Sequence, residues 1–96
     1  MNAQLEKILK PLNMLKDMYS SNSMLSGYMK IFDGIIEKEK ELFNLYYENP
    51  SKYIEELTSY RNILKEKCNK NIDPNLYDIY NAEIDLISVN IKKLNS

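Results

Sequence analysis

Apolar residues recur along this 96-residue chain at alternating steps of three and four, the spacing that places them on one face of an α-helix. Polar or proline-containing stretches interrupt the pattern at residues 20–23, 49–50 and 69–74. The pattern predicts four helices, over about residues 3–19, 24–48, 50–69 and 74–94. Because the connections are short, successive helices should run antiparallel. We predict an all-α fold, an antiparallel up-down-up-down four-helix bundle that forms a single helical domain over residues 1–96.

The third and fourth helices begin with the same signal, a capping residue followed by proline. Asn49 precedes Pro50 and Asp73 precedes Pro74. Proline suits the first helical position because the N–H that it lacks would have no helical partner there. Pro11 instead lies inside the first helix, where its ring should kink the helix or start a fresh turn.

Two glycines, Gly27 and Gly34, lie seven residues apart in the second predicted helix and share one face of it. They could admit the close approach of another backbone, since they have no Cβ. Alternatively, Gly27 marks an uneven start of this helix. The sequence does not choose between these interpretations.

The inner stripes of the second and third helices carry one charged residue each, Glu39 and Arg61. Antiparallel register places the two opposite one another, so we predict a structural ion pair. Desolvation offsets most of the attraction in such a pair, but the loss of one partner costs about 3 kcal/mol if the site is buried.

The residue inventory argues against an enzyme or a metalloprotein. The chain has no His and no Trp, one Cys and one Arg, which excludes histidine catalysis, Cys/His zinc sites and a disulfide framework. The run EKEKE at 37–41 and the acidic residues Asp78, Glu83 and Asp85 are interpreted as solvated helical faces. Cys68 is interpreted as a small core residue and not as a reactive thiol. We predict no catalytic residue, no metal ligand and no cofactor.

Charge and hydropathy narrow the partners further. The net charge of −1 gives no positive surface for nucleic acid, and no apolar run approaches the roughly 18 residues of a membrane span. We therefore expect a cytoplasmic protein that neither binds nucleic acid nor inserts into a membrane. The abundance of Lys, Asn and Ile is typical of a low-GC bacterial or phage genome.

Two groups of side chains are candidates for contact with another protein. Three tyrosines project away from the predicted helix seams, where they would bury much area at little entropic cost, unless helix one or four covers them. Four methionines surround the first turn, where they could line an adaptable groove for a partner helix or simply fill gaps. The candidate residues are Tyr47, Tyr53 and Tyr60, and Met14, Met18, Met24 and Met29.

Residues 28–94 resemble the helical hairpins of small flagellar and type III export chaperones of the FliT kind. The likeness is carried by the turn YENPSKY, the helix IEELTSYRNILKEK and the acid–apolar spacing of AEIDLISVNI. The resemblance implies a non-enzymatic chaperone that binds an amphipathic helix of its substrate through a hydrophobic groove.

A second likeness is to bacteriocin immunity proteins, through the helix order and the segment NIDPNLYDIYNAEI. Phage-encoded inhibitors of the anti-CRISPR kind have no shared signature and stay open as a third possibility. We therefore expect a protein–protein interaction module, with an export-chaperone-like adaptor as the leading version. An immunity protein or a phage inhibitor is the alternative, and a homodimer is possible.

Overall fold

The computed structural model describes residues 2–96, and every regular element in that range is helical. The elements are α1 (Ala3–Ser20), a 3₁₀-helix (Ser23–Tyr28), α2 (Met29–Phe43), α3 (Pro50–Lys67) and α4 (Pro74–Leu94). The all-α fold class and the four α-helices are confirmed. The number and order of the helices are consistent with an up-down four-helix bundle.

Three of the α-helices begin at a side-chain cap. The Asn2 carboxamide oxygen accepts from the N–H of Gln4 at 2.8 Å, and Asn49 accepts from that of Lys52 at 3.1 Å. Asp73 accepts from the N–H of Asn75 at 2.7 Å. The predicted starts of α3 and α4 are therefore confirmed, each with its proline in the first turn.

The second helix is shorter than the predicted range 24–48 at both ends. Residues 24–28 belong to the 3₁₀-helix, which Asn22 caps by accepting from the N–H of Met24 at 2.9 Å. Residues 44–48 form turns in which Leu45 and Tyr46 donate to carbonyls three residues back. Asn49 itself is outside the α conformation, with φ −152° and ψ 80°, because the proline that follows disfavours that conformation at the preceding residue.

Helix α1 runs through Pro11 without interruption from Ala3 to Ser20, so it is not split there. A Cβ built on Gly27 or Gly34 would have no atom within 4 Å. Of the two interpretations left open by the sequence, a close backbone approach at these glycines is therefore not what the structure shows. Gly27 lies in the 3₁₀-helix, in agreement with an uneven start of the second helix.

The chain divides into two compact units, the first ending at Glu41 and the second running from Leu42 to Ser96. In the N-terminal unit, α1 and the adjoining part of α2 run antiparallel. Lys16 Nζ lies 2.6 Å from Asp33 Oδ1, and the Tyr19 ring packs edge-on against Phe32, with 5.3 Å between centroids. The fully or nearly buried apolar residues of this unit are Leu5, Ile8, Leu9, Leu12, Tyr19, Phe32, Ile35 and Ile36.

In the C-terminal unit, α3 and α4 pack against one another, with Leu57, Leu64, Ile79, Ile84 and Ile87 among its buried residues.

One hydrogen bond reports the register of this pair. Arg61 Nη1 donates to Ser88 Oγ at 3.2 Å. Antiparallel neighbours joined by a short turn keep a constant sum of residue numbers, and the sequence pattern that sets Arg61 opposite Glu39 of α2 also sets it opposite Ile84 of α4, one turn before Ser88. A helical side chain leans toward the N-terminus of its own helix, which in an antiparallel pair is toward later residues of the neighbour. The bond to Ser88 therefore agrees with the predicted register.

That residues 1–96 form one domain stays a prediction.

Candidate partner-binding surfaces

Three of the four candidate methionines lie largely in solvent. The exposed fraction is 59% for Met14, 68% for Met18 and 89% for Met24, whereas Met29, the first residue of α2, is half-buried. We call Met14, Met18 and Met24 the methionine surface; all three belong to the N-terminal unit.

The position of these residues on the helix explains their exposure. Met14 and Met18 are one turn apart on α1, and Met14 lies about 200° around the helix axis from the buried Leu12. They contribute apolar area to a face of α1 that does not belong to its buried stripe. Gap-filling therefore does not account for Met14, Met18 or Met24, and Met29 is the one methionine of the four that is half-buried.

The three candidate tyrosines do not form a common exposed surface. Tyr47 is 66% exposed, Tyr60 is half-buried and Tyr53 is fully buried. Of the two alternatives left open for Tyr53, it is covered, and its ring packs nearly perpendicular to those of Phe43 and Tyr46, with centroids 6.2 and 5.5 Å away. That Tyr47 contacts a partner protein stays a prediction.

Tyr53 belongs to an aromatic cluster at the turn between α2 and α3, together with Phe43, Tyr46 and Tyr47. The rings of Phe43 and Tyr46 stack at 4.7 Å and 15°, which follows from the three-residue hydrogen bonds of the turn, since side chains three apart eclipse in that geometry. The Tyr47 ring stands edge-on to both, at 6.0 and 4.7 Å. The cluster fixes the turn, and sequence spacing alone did not reveal it.

Two carboxylates, Glu39 and Glu83, are fully buried. For Glu39 this agrees with its predicted place on an inner stripe. Its pairing with Arg61 stays a prediction; Arg61 is half-buried and bonds to Ser88 within its own unit.

The prediction of a solvated face is wrong for Glu83. It lies one turn from Ile79 and one turn from Ile87, both of which are fully buried, so the buried stripe of α4 passes through it. The same spacing is present in the sequence, but α4 has a second apolar stripe, so the spacing alone does not identify Glu83 as buried.

A groove of about 520 Å³ runs between α1 and α2 within the N-terminal unit. Leu9 and Ile36 contribute its apolar part. The other lining residues are polar or charged: Glu6, Asn13, Lys16, Asp33, Glu37 and Lys40. The lining residues recur at steps of three and four along one edge of each helix, and it is the pairing of the two helices that brings them together.

The remaining candidate chemistry is sparse. Burial raises the pKa of the Cys68 thiol, opposite to the lowering that a reactive cysteine requires. Within residues 2–96 there is no group of three or more acidic, cysteine or histidine side chains placed to hold a metal ion. No helix in the described range has both the length and the apolar character of a membrane span.

No protein-family model matches the chain, and no curated protein and no solved structure matches it.

Proposed function

We propose that this chain is a non-enzymatic protein-binding module whose methionine surface receives the apolar face of an amphipathic helix from a partner protein. The observation that carries the proposal is the exposure of Met14, Met18 and Met24, each by more than half. Burying these three side chains against a partner removes apolar area from water, the usual driving force of association.

The chemistry of methionine supports this kind of partner. Its unbranched, polarizable side chain adapts to differently shaped apolar surfaces, and methionine-rich faces are suited to helices of varied sequence. This is the behaviour expected of an export-chaperone-like adaptor, which is the specific version that we favour. An immunity protein or a phage-encoded inhibitor would use the same surface on one fixed target.

Photo-crosslinking in cells tests the proposal. A photo-reactive residue replaces Met18 in one variant and Ile63, an exposed apolar residue of α3, in the matched control. We expect position 18 to crosslink one defined protein that position 63 does not. Mapping the crosslinked peptide should then identify an amphipathic helix in that protein.

Binding of the purified partner gives the quantitative test. The triple variant Met14→Gln, Met18→Gln and Met24→Gln keeps side-chain length but makes the surface polar, and we expect it to weaken binding at least about tenfold. Ile63→Gln should leave affinity within about twofold. Unchanged affinity of the triple variant, with its helical circular dichroism preserved, would exclude this surface as the binding site.

A further inference from the structure

The groove between α1 and α2 has a charge pattern that selects its occupant. Its lining contains three carboxylates, from Glu6, Asp33 and Glu37, and two ammonium groups, from Lys16 and Lys40. The groove therefore carries one net negative charge. It is distinct from the methionine surface, because Met14, Met18 and Met24 do not line it, although Met14 lines an adjoining depression that shares Glu6 and Asn13 with the groove.

Both lysines of the groove are already engaged by its own carboxylates. Lys16 Nζ lies 2.6 Å from Asp33 Oδ1, and Lys40 Nζ lies 3.7 Å from Glu37 Oε1. An anionic ligand would have to compete with these contacts for either ammonium group. The groove is thus a poor site for a phosphate or a carboxylate.

Acceptor oxygens are in excess in the same groove. Glu6 forms no ion pair with any other residue in the range 2–96, and each carboxylate can accept more hydrogen bonds than a single lysine contact uses. A ligand that fills the groove must therefore bring donors and positive charge, together with an apolar group that reaches Leu9 and Ile36.

We propose that this groove binds a short protein segment in which a lysine or arginine adjoins a leucine or isoleucine. The aliphatic side chain contacts Leu9 and Ile36, and the cation is held by Glu6. A volume of about 520 Å³ is within the range of roughly 300–1,000 Å³ usual for ligand sites, enough for two side chains of this size. The proposal goes beyond the proposed function, since it concerns a second surface.

Two blocked dipeptides that differ only in charge test this assignment on the whole chain. N-acetyl-Leu-Arg-amide and N-acetyl-Leu-Glu-amide are titrated while the ¹³C-methyl resonances of Leu9 and Ile36 are followed. We expect the arginine peptide to shift both residues saturably and the glutamate peptide to bind at least about threefold more weakly. Equal affinity, no shift, or shifts confined to other residues would overturn the proposal.

A charge-removing variant supplies the second test. Glu6→Gln keeps the shape of an exposed side chain in the first turn of α1, and we expect about two- to fivefold weaker binding of the arginine peptide. Glu66→Gln, at an exposed position on α3, should bind as the unmodified chain does. Raising the salt concentration to roughly 0.5 M should weaken the binding of the arginine peptide and leave the binding of the glutamate peptide unchanged.

If Glu6→Gln binds the arginine peptide normally while remaining folded, the role of Glu6 is excluded. The double variant Met18→Gln and Met24→Gln, which leaves Met14 beside Glu6 unchanged, should bind the dipeptide with unchanged affinity. Failure of the groove proposal can therefore be distinguished from failure of the proposed function.

Discussion

At the scale of single residues, Glu83 is fully buried, as Glu39 is, although glutamate is ordinarily exposed to solvent. A carboxylate in the middle of a fully buried stripe loses its hydration, and the groups around it are arranged for the side chain that is present. Truncation of the Glu83 side chain leaves a cavity, and it also removes the carboxylate from the groups that surround it. Its neighbour Asp85 is exposed and has neither constraint.

We therefore expect Glu83→Ala to lower the free energy of unfolding by about 2–4 kcal/mol, and Asp85→Ala to change it by less than about 0.5 kcal/mol. Urea denaturation of both variants, followed by circular dichroism, measures the difference. Similar small effects of the two substitutions would show that Glu83 is not held in a packed environment in solution.

The two buried glutamates also show what a sequence pattern can and cannot identify. The sequence places Glu39 on an inner stripe that its apolar neighbours define, and the residue is buried. Glu83 lies equally well between Ile79 and Ile87, but α4 is apolar over so broad an arc that its buried side could not be chosen from periodicity. Burial there depends on what packs against the helix, which is a tertiary property.

At the scale of elements, α2 could be made more stable by a substitution at Gly34. The residue lies within α2 with an ordinary helical backbone, and a Cβ there meets no atom within 4 Å. Gly34→Ala should raise the free energy of unfolding by about 0.5–1 kcal/mol, because alanine loses less conformational entropy on folding.

The matched variant is Gly27→Ala, which is equally unobstructed but lies in the 3₁₀-helix. Its gain should be smaller, since helix propensities apply to the α conformation. Thermal and urea denaturation of both variants test the comparison. A loss of stability for Gly34→Ala would mean that another backbone approaches α2 at this position in solution.

Local signals predicted most of the helix boundaries, and they failed where the chain leaves the α conformation without a strong breaker. The starts of α3 and α4 follow from a cap and a proline within two residues. The end of α2 at Phe43 has no such signal; the turn there is stabilised by ring packing between Phe43, Tyr46 and Tyr53. Aromatic residues spaced along a helix stripe could equally have continued the helix.

At the scale of the whole molecule, the candidate surfaces could be predicted only in part. The methionines were identified from composition and position, but their exposure follows from which face of α1 is packed. The helical spacing of the candidate tyrosines likewise pointed to a surface away from the helix seams, but Tyr53 is buried. The groove between α1 and α2 arises from two helices together, so no single helical pattern contains it.

The exposure of the methionine surface also separates a hetero-partner from a homodimer. Hydrogen peroxide transfers an oxygen atom to an accessible thioether, which gives the sulfoxide and water. In a monomer, Met14, Met18 and Met24 should oxidise several-fold faster than the half-buried Met29, at rates independent of protein concentration, and with helical circular dichroism retained. Peptide mapping by mass spectrometry after short exposures measures each rate.

If a second copy of the chain covers this surface, the three rates should instead fall together as the protein concentration rises, while the rate at Met29 stays constant. That outcome would assign the methionine surface to self-association and contradict its proposed role as the site for another protein.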